Sequence, residues 1–250
     1  MNVPLSILCW LVVSSPLALA DADELIRKGD AFDEKYQPLE ALKYYLPAEK
    51  LEPNNADLLV KIVRQYVYRM DDLGSKSDKL ESGRTALKYA ERAVRLAPNE
   101  GDPHLSVAIV LGKISPLLGN KEKLEGSKQL KASAEKAAKL DPGNDYAWHL
   151  LGRWHQAIAG MSGFTRGLAQ LIYGSMPDAS NEESVKLFKK AIGLNPNRLV
   201  HYVELGRTYA QMGKNEEAKA MISKGLSMPN RAQDDAETKR RGRKALEELD

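Results

Sequence analysis

The chain has 250 residues, which is the length of one large domain or two small ones. Lys and Arg total 37 and Asp and Glu 34, and the resulting net charge of +3 argues against a strongly basic nucleic-acid-binding protein and against an acidic tail. The single cysteine, Cys9, excludes an intramolecular disulfide framework and a cysteine-based zinc site. With 43% hydrophobic and only 6% aromatic residues, the composition favours an all-helical soluble protein.

The first 20 residues carry no charged side chain and combine an apolar run, a break at Pro16 and a small-residue site that ends at Ala20. This pattern is typical of a secretory signal peptide, so we predict cleavage after Ala20 and export to the periplasm or the extracellular space. If the segment is retained, the alternatives are a membrane anchor or a cytoplasmic protein. The stretch from Leu5 to Ala20 has 16 residues, whereas a membrane-spanning helix needs about 20.

One spacing of residues recurs five times after this segment. The first unit places Gly29, Ala41, Tyr45, Ala48 and Pro53 at successive offsets of 12, 4, 3 and 5 residues. Offsets of 4 and 3 put three side chains on one face of a helix, and the proline ends that helix. The later ladders are Ala86, Ala90, Ala93 and Pro98; Leu130, Ala134, Ala137 and Pro142; Ser184, Phe188, Ala191 and Pro196; and Ala218, Ile222 and Gly225, followed by Pro229. Such a repeat predicts a series of paired helices.

The fourth and fifth units resemble the tetratricopeptide repeat (TPR), whose pattern begins W-x2-L-G-x2-Y. They read Trp148-x2-Leu151-Gly152-x2-His155 and Tyr202-x2-Leu205-Gly206-x2-Tyr209. The resemblance implies an all-α, right-handed superhelical solenoid of five helical-hairpin repeats with insertions and a C-terminal capping helix. The predicted repeat domain covers 21–231, its units are about 22–55, 56–100, 101–144, 145–198 and 199–231, and the charged capping helix covers 232–250.

The second, third and fourth units are longer than a standard repeat. In the second unit, Asp71 to Gly74 ends the first helix, and Ser75 can cap the next one. The fourth unit holds the most apolar insertion, Ile158 to Met176, after which Ser180 can cap the following helix. In the capping helix, the cluster of basic residues from Lys239 to Lys244 is expected on the solvent-facing side.

The order and size of the enlarged units resemble the regulator of microtubule dynamics family over roughly Ala22 to the C-terminus. The most specific residues are Leu151-Gly152-Arg153-Trp154, then Arg166, Leu168, Ala169, Pro177, Ser180 and the Phe188-x2-Ala191 pair. The resemblance implies a non-enzymatic protein that binds protein partners, with microtubule association as the family's named activity. It transfers no residue list for that activity.

No arrangement of residues predicts catalysis or a metal site. His149 and His155 lie six residues apart in one predicted helix, so they do not form the i, i+4 pair of a zinc site. Gly160, Gly163 and Gly167 match neither a dinucleotide-binding fingerprint nor a P-loop. The sequence therefore predicts no catalytic residue, no metal site and no cofactor.

Basic residues recur at one position of the first helices. In the TPR architecture the ninth position of each unit lines the concave surface, and here Arg64, Arg153 and Arg207 occupy it in three units. With Lys113 and His149 nearby, this stripe suits an acidic protein or peptide segment through bidentate ion pairs. The alternative is a set of solvated surface arginines without a partner.

The insertion of the fourth unit is the second feature that stands out. Its large apolar and aromatic residues are Ile158, Met161, Phe164, Leu168, Leu171, Ile172 and Tyr173. We favour an additional core helix that folds against the repeats, because large exposed apolar patches are rare on monomers. The alternative is a lid over a lipid or another apolar ligand, or a docking surface.

Overall fold

The computed structural model describes residues 16–174 and 177–249 of the chain. Within these residues there are twelve α-helices and a short 3-10 turn at Ser115–Leu117, and there is no strand. The predicted all-α class is therefore confirmed. Residues 1–15, which hold most of the predicted export signal, lie outside the described residues.

Ten of the helices form five antiparallel hairpins that follow one another along the chain. The hairpins are α1 (Pro16–Asp33) with α2 (Pro38–Leu51), α3 (Ala56–Asp72) with α4 (Lys76–Leu96), α5 (Gly101–Ile114) with α6 (Asn120–Leu140), α7 (Asp145–Ala159) with α9 (Asn181–Leu194), and α10 (Leu199–Gln211) with α11 (Asn215–Ser227). The helix α8 (Gly163–Tyr173) is inserted inside the fourth hairpin and packs on α6. The last helix, α12 (Asp235–Glu247), packs on α10 and α11.

Local sequence signals fix the starts of several helices. The Ser75 hydroxyl accepts a hydrogen bond from the backbone N–H of Asp78 at 3.0 Å, and the Ser180 hydroxyl accepts one from Glu183 at 3.1 Å. Each bond satisfies one of the N–H groups that the first turn of a helix leaves unpaired. Both predicted caps are confirmed, and α3 ends at Asp72, where the sequence predicted its stop.

The repeated small residues mark the places where paired helices come closest. A Cβ atom added to Gly29 would lie 2.4 Å from Cε1 of Tyr45, and one added to Gly152 would lie 3.1 Å from Cε1 of Phe188. Tyr45 and Phe188 are the middle residues of their ladders, and both are fully buried. Glycine in the first helix therefore makes room for a large ring from the second helix.

The hydrophobic core runs through all five hairpins. Four clusters of buried residues follow one another, and each joins helices of neighbouring hairpins: the first contains Ala41 and Leu59, the second Val63 and Val110, the third Ala108 and Leu151, and the fourth Phe188 and Leu205. Stacked helix pairs with a shared core are the architecture of a TPR-like solenoid. No helix within 16–174 and 177–249 is both long enough and apolar enough to cross a membrane.

Gly206 in α10 is a position at which the close packing of α10 and α11 can be tested. A Cβ atom there would lie 2.6 Å from Cγ1 of Ile222 and 2.9 Å from the backbone oxygen of Ala218. We expect Gly206→Ala to lower the free energy of unfolding by about 1 to 3 kcal/mol, because backbone atoms of α11 must move. Denaturant unfolding followed by circular dichroism measures this change.

The matched control is Gly193 in α9, where an added Cβ atom would have nothing within 4 Å. Gly193→Ala should raise the free energy of unfolding by roughly 0.5 to 1 kcal/mol through helix propensity alone. Equal stabilisation by both substitutions would contradict the close approach of α10 and α11.

Candidate protein-binding face

The first helices of the hairpins form one face of the molecule, which we call the first-helix face. A cavity of about 320 Å³ on this face is lined by residues of α3, α5, α7 and α10, among them Val63, Ile109 and Tyr146. A wider cavity of about 640 Å³ lies between α5, α6, α7 and the start of α8, and includes Arg153 and Met161. Both cavities are also bounded by residues of the C-terminal part of the chain.

Residues 228–234, which we call the C-terminal arm, cross from the last hairpin to the first. The Tyr36 hydroxyl donates a hydrogen bond of 2.7 Å to the backbone carbonyl of Arg231. The backbone N–H groups of Arg231 and Ala232 both donate to Oδ2 of Asp235, at 2.7 and 2.8 Å, and so hold the turn into α12. Ala232 and Asp234 line the narrower cavity, so the arm covers part of the first-helix face.

The end cap predicted for the last repeat corresponds to α12, whose Gly242 packs between Leu226, Ile222 and Val203 of the last hairpin. Besides α12, the C-terminal arm also covers part of the repeats, because it extends from the last hairpin back over the first-helix face. The cap is therefore joined to the candidate site as well as to the last hairpin.

Two of the predicted arginines meet at a buried carboxylate. Glu204 in α10 is 1% exposed and forms ion pairs with Arg153 of α7, Arg207 of its own helix and Arg241 of α12. Arg207 Nη1 lies 2.8 Å from Oε2 of Glu204, and Arg241 Nη1 lies 3.4 Å from Oε1. We call these four residues the Glu204 cluster.

The Glu204 cluster carries an excess of positive charge. Burial raises the pKa of Glu204, but the three guanidinium groups outweigh this effect and hold the pKa below its usual value. The carboxylate is therefore ionised at neutral pH, and three cations against one anion leave two net positive charges. Arg153 and Arg241 from this cluster lie on the wall of the wider cavity.

The remaining predicted cations have carboxylate partners at other places on the face. Arg64 lies 3.3 Å from Oδ2 of Asp33, and Lys113 Nζ lies 2.8 Å from Oδ1 of Asp71. Arg64 lines the narrower cavity, whereas Lys113 lines both cavities. Lys113 therefore lies where the two cavities meet the same side chain, whereas Arg64 is separate from the Glu204 cluster.

The side chain of His149 is buried and hydrogen-bonded inside the protein. It is 3% exposed, and its Nδ1 lies 2.9 Å from Nδ1 of the buried His201, whose Nε2 lies 2.7 Å from Oδ2 of Asp145. Because Asp145 accepts a hydrogen bond, it assigns the proton of neutral His201 to Nε2, and Nδ1 of His201 then accepts from His149. This relay joins α7 to α10.

The residues of the predicted apolar segment lie in different environments. Ile158 and Met161 line the wider cavity, and Ile158 is buried. Leu168 and Ile172 are partly exposed, while Leu171 is 82% exposed. The side chains of the remaining two residues, Phe164 and Tyr173, lie outside the described part of the structure.

Two members of the Glu204 cluster, Glu204 and Arg241, were not among the site residues predicted from the sequence. Glu204 could have been noticed because it interrupts the apolar residues Val203 and Leu205 just before Gly206. Arg241 was expected on the solvent-facing side of α12, but its side chain is only 35% exposed and turns to Glu204. No group of three or more His, Cys, Asp or Glu side chains within the described ranges has the geometry to hold a metal ion.

Comparison with known proteins shows that almost the whole chain matches one protein family. Residues 18–250 match the family described as regulator of microtubule dynamics protein 1-3. A bovine protein named regulator of microtubule dynamics protein 1 is 25% identical over 229 residues, which cover 90% of this chain and 71% of the relative. The human protein named regulator of microtubule dynamics protein 2 is 27% identical over 165 residues, which cover 64% of this chain and 39% of the relative.

Solved structures support the fold at lower sequence identity. A thermophilic TPR protein of Thermus thermophilus superposes with a TM-score of 0.63 at 17% identity, covering 90% of this chain and 98% of that chain. MamA of Desulfovibrio magneticus superposes with a TM-score of 0.53 at 18% identity, covering 83% of this chain and 94% of that chain. These likenesses confirm the TPR-like solenoid.

The buried histidine relay predicts acid-sensitive stability. Burial lowers the pKa of both rings; Arg153, Arg198 and Arg241 lower that of His149 further, while Asp145 partly offsets the effect at His201. Because the folded-state pKa values lie below the unfolded value of about 6.5, the unfolded chain takes up protons first as the pH falls. We expect the free energy of unfolding to decrease from about pH 7 to about pH 5, measured by denaturant titration at each pH.

Two substitutions identify the relay as the source of this pH dependence. His149→Gln keeps a hydrogen-bond donor for His201 and removes one buried titrating ring, so the slope against pH should become smaller. The control His104→Gln changes a histidine outside the relay, whose Nε2 lies 2.9 Å from the carbonyl of Pro98, and His149→Gln should show the smaller slope of the two variants. A wild-type stability that does not change over this pH range would refute the assignment.

Proposed function

The chain belongs to the regulator of microtubule dynamics family, and on that premise we propose that it is a non-enzymatic scaffold that binds an acidic segment of a partner protein on the first-helix face. The observation that carries the proposal is the pair of net positive charges that the Glu204 cluster places beside a cavity of about 640 Å³. Guanidinium groups pair with carboxylates through two parallel hydrogen bonds, which gives direction as well as attraction.

The cluster is a pre-formed site because its arginines are already held in place. Glu204 fixes Arg153, and the Gln156 amide oxygen accepts a further hydrogen bond of 2.8 Å from the same Arg153 nitrogen. Side chains that are ordered before binding lose less entropy when a partner arrives. Lys123 on the same cavity wall extends the basic surface toward α6, whereas Lys113 on that wall is paired with Asp71.

Part of the face is occupied by the chain itself. Asp234 and Glu237 also line the wider cavity, so an acidic partner shares this wall with two internal carboxylates. Glu237 is paired with Arg240 at 2.7 Å, and that pair lowers the pKa of Glu237. We place the partner's acidic residues beside Arg153, on the α7 side of the cavity and away from Glu237.

Variants at Arg153 and Glu204 test the proposal in opposite directions. Arg153→Gln removes one cation and leaves Glu204 paired with Arg207 and Arg241, so it should weaken binding of a labelled glutamate-rich peptide by about tenfold. Glu204→Gln removes the internal anion and should strengthen the same interaction. Fluorescence anisotropy measures both, and added salt should weaken binding to every variant that retains it.

The control variant is Arg95→Gln, which loses the same charge from the exposed end of the second helix α4. It should bind the glutamate-rich peptide as the wild type does, and a lysine-rich peptide should bind to none of the four proteins. Equal affinities of wild type and Arg153→Gln would show that the first-helix face is not the binding surface. The names of the relatives make microtubules an alternative partner if residues 1–20 are not cleaved, and sedimentation of the same proteins with assembled microtubules asks whether that polymer is bound.

We also propose that residues 1–20 direct export. Cleavage after Ala20 would start α1 at Asp21 and place Asp21, Asp23 and Glu24 in its first turn, where negative charges favour the helix N-terminus. N-terminal sequencing of the protein from its native source should therefore begin at Asp21. Recovery of the chain with Met1 still attached would refute the export proposal and favour a retained segment.

A further inference from the structure

The helix α8 has a side that no other part of the described chain covers. It packs on α6, and its Ala169 is completely buried. Leu171 of the same helix is 82% exposed, and Leu168, one turn earlier, is partly exposed. An additional core helix would explain Ala169, but it does not explain an almost fully exposed leucine.

Helix geometry shows that these residues lie on different sides. At 3.6 residues per turn, each residue advances by about 100°, so Leu171 lies about 160° around the helix axis from Ala169. Leu168 lies about 100° from Ala169, on the same flank as Leu171. We call the flank of Leu168 and Leu171 the outer face of α8.

Basic residues lie on α8 and on the neighbouring helix α6. Residues 157–177 contain a single charged side chain, the exposed Arg166. Lys128 of α6 reaches the C-terminal end of α8, where its Nζ lies 3.4 Å from the carbonyl of Ile172. Lys123 of α6 and Thr165 of α8 both line the wider cavity.

The glutamates of α6 are paired with neighbouring cations. Glu122 lies 3.8 Å from Arg84 of α4, Glu125 lies 4.0 Å from Lys121, and Glu135 lies 3.4 Å from Lys131. None of these three carboxylates therefore offsets the cations beside α8. The result is a short amphipathic helix with exposed leucine on one side, basic residues at its borders and no acidic residue of its own.

We propose that α8 is an interfacial helix that inserts Leu168 and Leu171 into the surface of an anionic lipid bilayer. A bilayer surface offers both an apolar medium for these leucines and negative headgroups for the exposed Arg166 and for Lys123. The helix offers few hydrogen bonds to a specific protein partner, since its polar side chains are Thr165, Arg166, Gln170 and Tyr173. Leu168 and Leu171 line neither cavity, so apart from Lys123 this surface is separate from the proposed peptide-binding site, and the inference does not rest on that function.

Flotation of the full chain with lipid vesicles tests the inference. The wild type should bind vesicles that contain phosphatidylserine and should bind pure phosphatidylcholine vesicles much more weakly, with salt reducing the former. Leu171→Asp should reduce binding to the anionic vesicles by about tenfold or more, because it replaces an inserted apolar group with a charge that the headgroups repel. Arg166→Glu should act in the same direction.

The matched control is Leu39→Asp, because Leu39 in α2 is 54% exposed and lies in the first hairpin. It should bind vesicles as the wild type does, and circular dichroism should show unchanged folding for all three variants. Leu171→Asp should also keep wild-type affinity for the glutamate-rich peptide, which separates this test from that of the Glu204 cluster.

Three results would overturn the inference: a wild type that leaves anionic vesicles unbound, equal binding by wild type and Leu171→Asp, or no preference between the two lipids. If the wild type ignores vesicles and instead forms a dimer that Leu171→Asp disperses, the outer face of α8 is an interface between copies of this chain. Analytical ultracentrifugation of both proteins distinguishes that outcome.

Discussion

The close approach of the two helices in each hairpin is the constraint on which the rest of the structure depends. Where the first helix has glycine, the second supplies a large side chain, as Gly152 receives the ring of Phe188. Where the first helix has a larger residue, the second has a smaller one, as Val63 and Ala90 share one buried cluster. Because the combined volume is limited, the helices keep a fixed separation, and the first helices align to form a continuous face.

The charged residues of the Glu204 cluster also lie on closely packed helices. The Glu204 carboxylate is buried in α10, and burial of an unpaired carboxylate would be costly. Arginines from α7, α10 and α12 meet it, so one ion-pair cluster connects the fourth hairpin, the fifth hairpin and the last helix. The cluster therefore has a structural part, since it holds three elements together, and a surplus of positive charge that remains for a partner.

The helix pairs could be predicted from the sequence because their signals are local. The 4, 3 and 5 spacing and the caps at Ser75 and Ser180 each involve residues that are close in sequence. The Glu204 cluster could not be predicted in the same way, since Arg153 is 51 residues away from Glu204 along the chain. TPR positions put Arg153 and Arg207 on the same helix face, but they carry no information about the carboxylate between them. Arg241 lies beyond the last repeat, where that numbering ends.

The C-terminal arm shows how a contact distant in sequence limits what a repeat protein can do. A solenoid contacts only neighbouring repeats, so its two ends are free to move relative to each other. Here the hydrogen bond from Tyr36 to Arg231 joins residues that are 195 positions apart and links the first hairpin to the segment after the last. A partner on the first-helix face must therefore fit a groove whose two ends are joined by the C-terminal arm. The outer face of α8 is free of this limit, because α8 packs on the second helix α6 and neither Leu168 nor Leu171 lines either cavity.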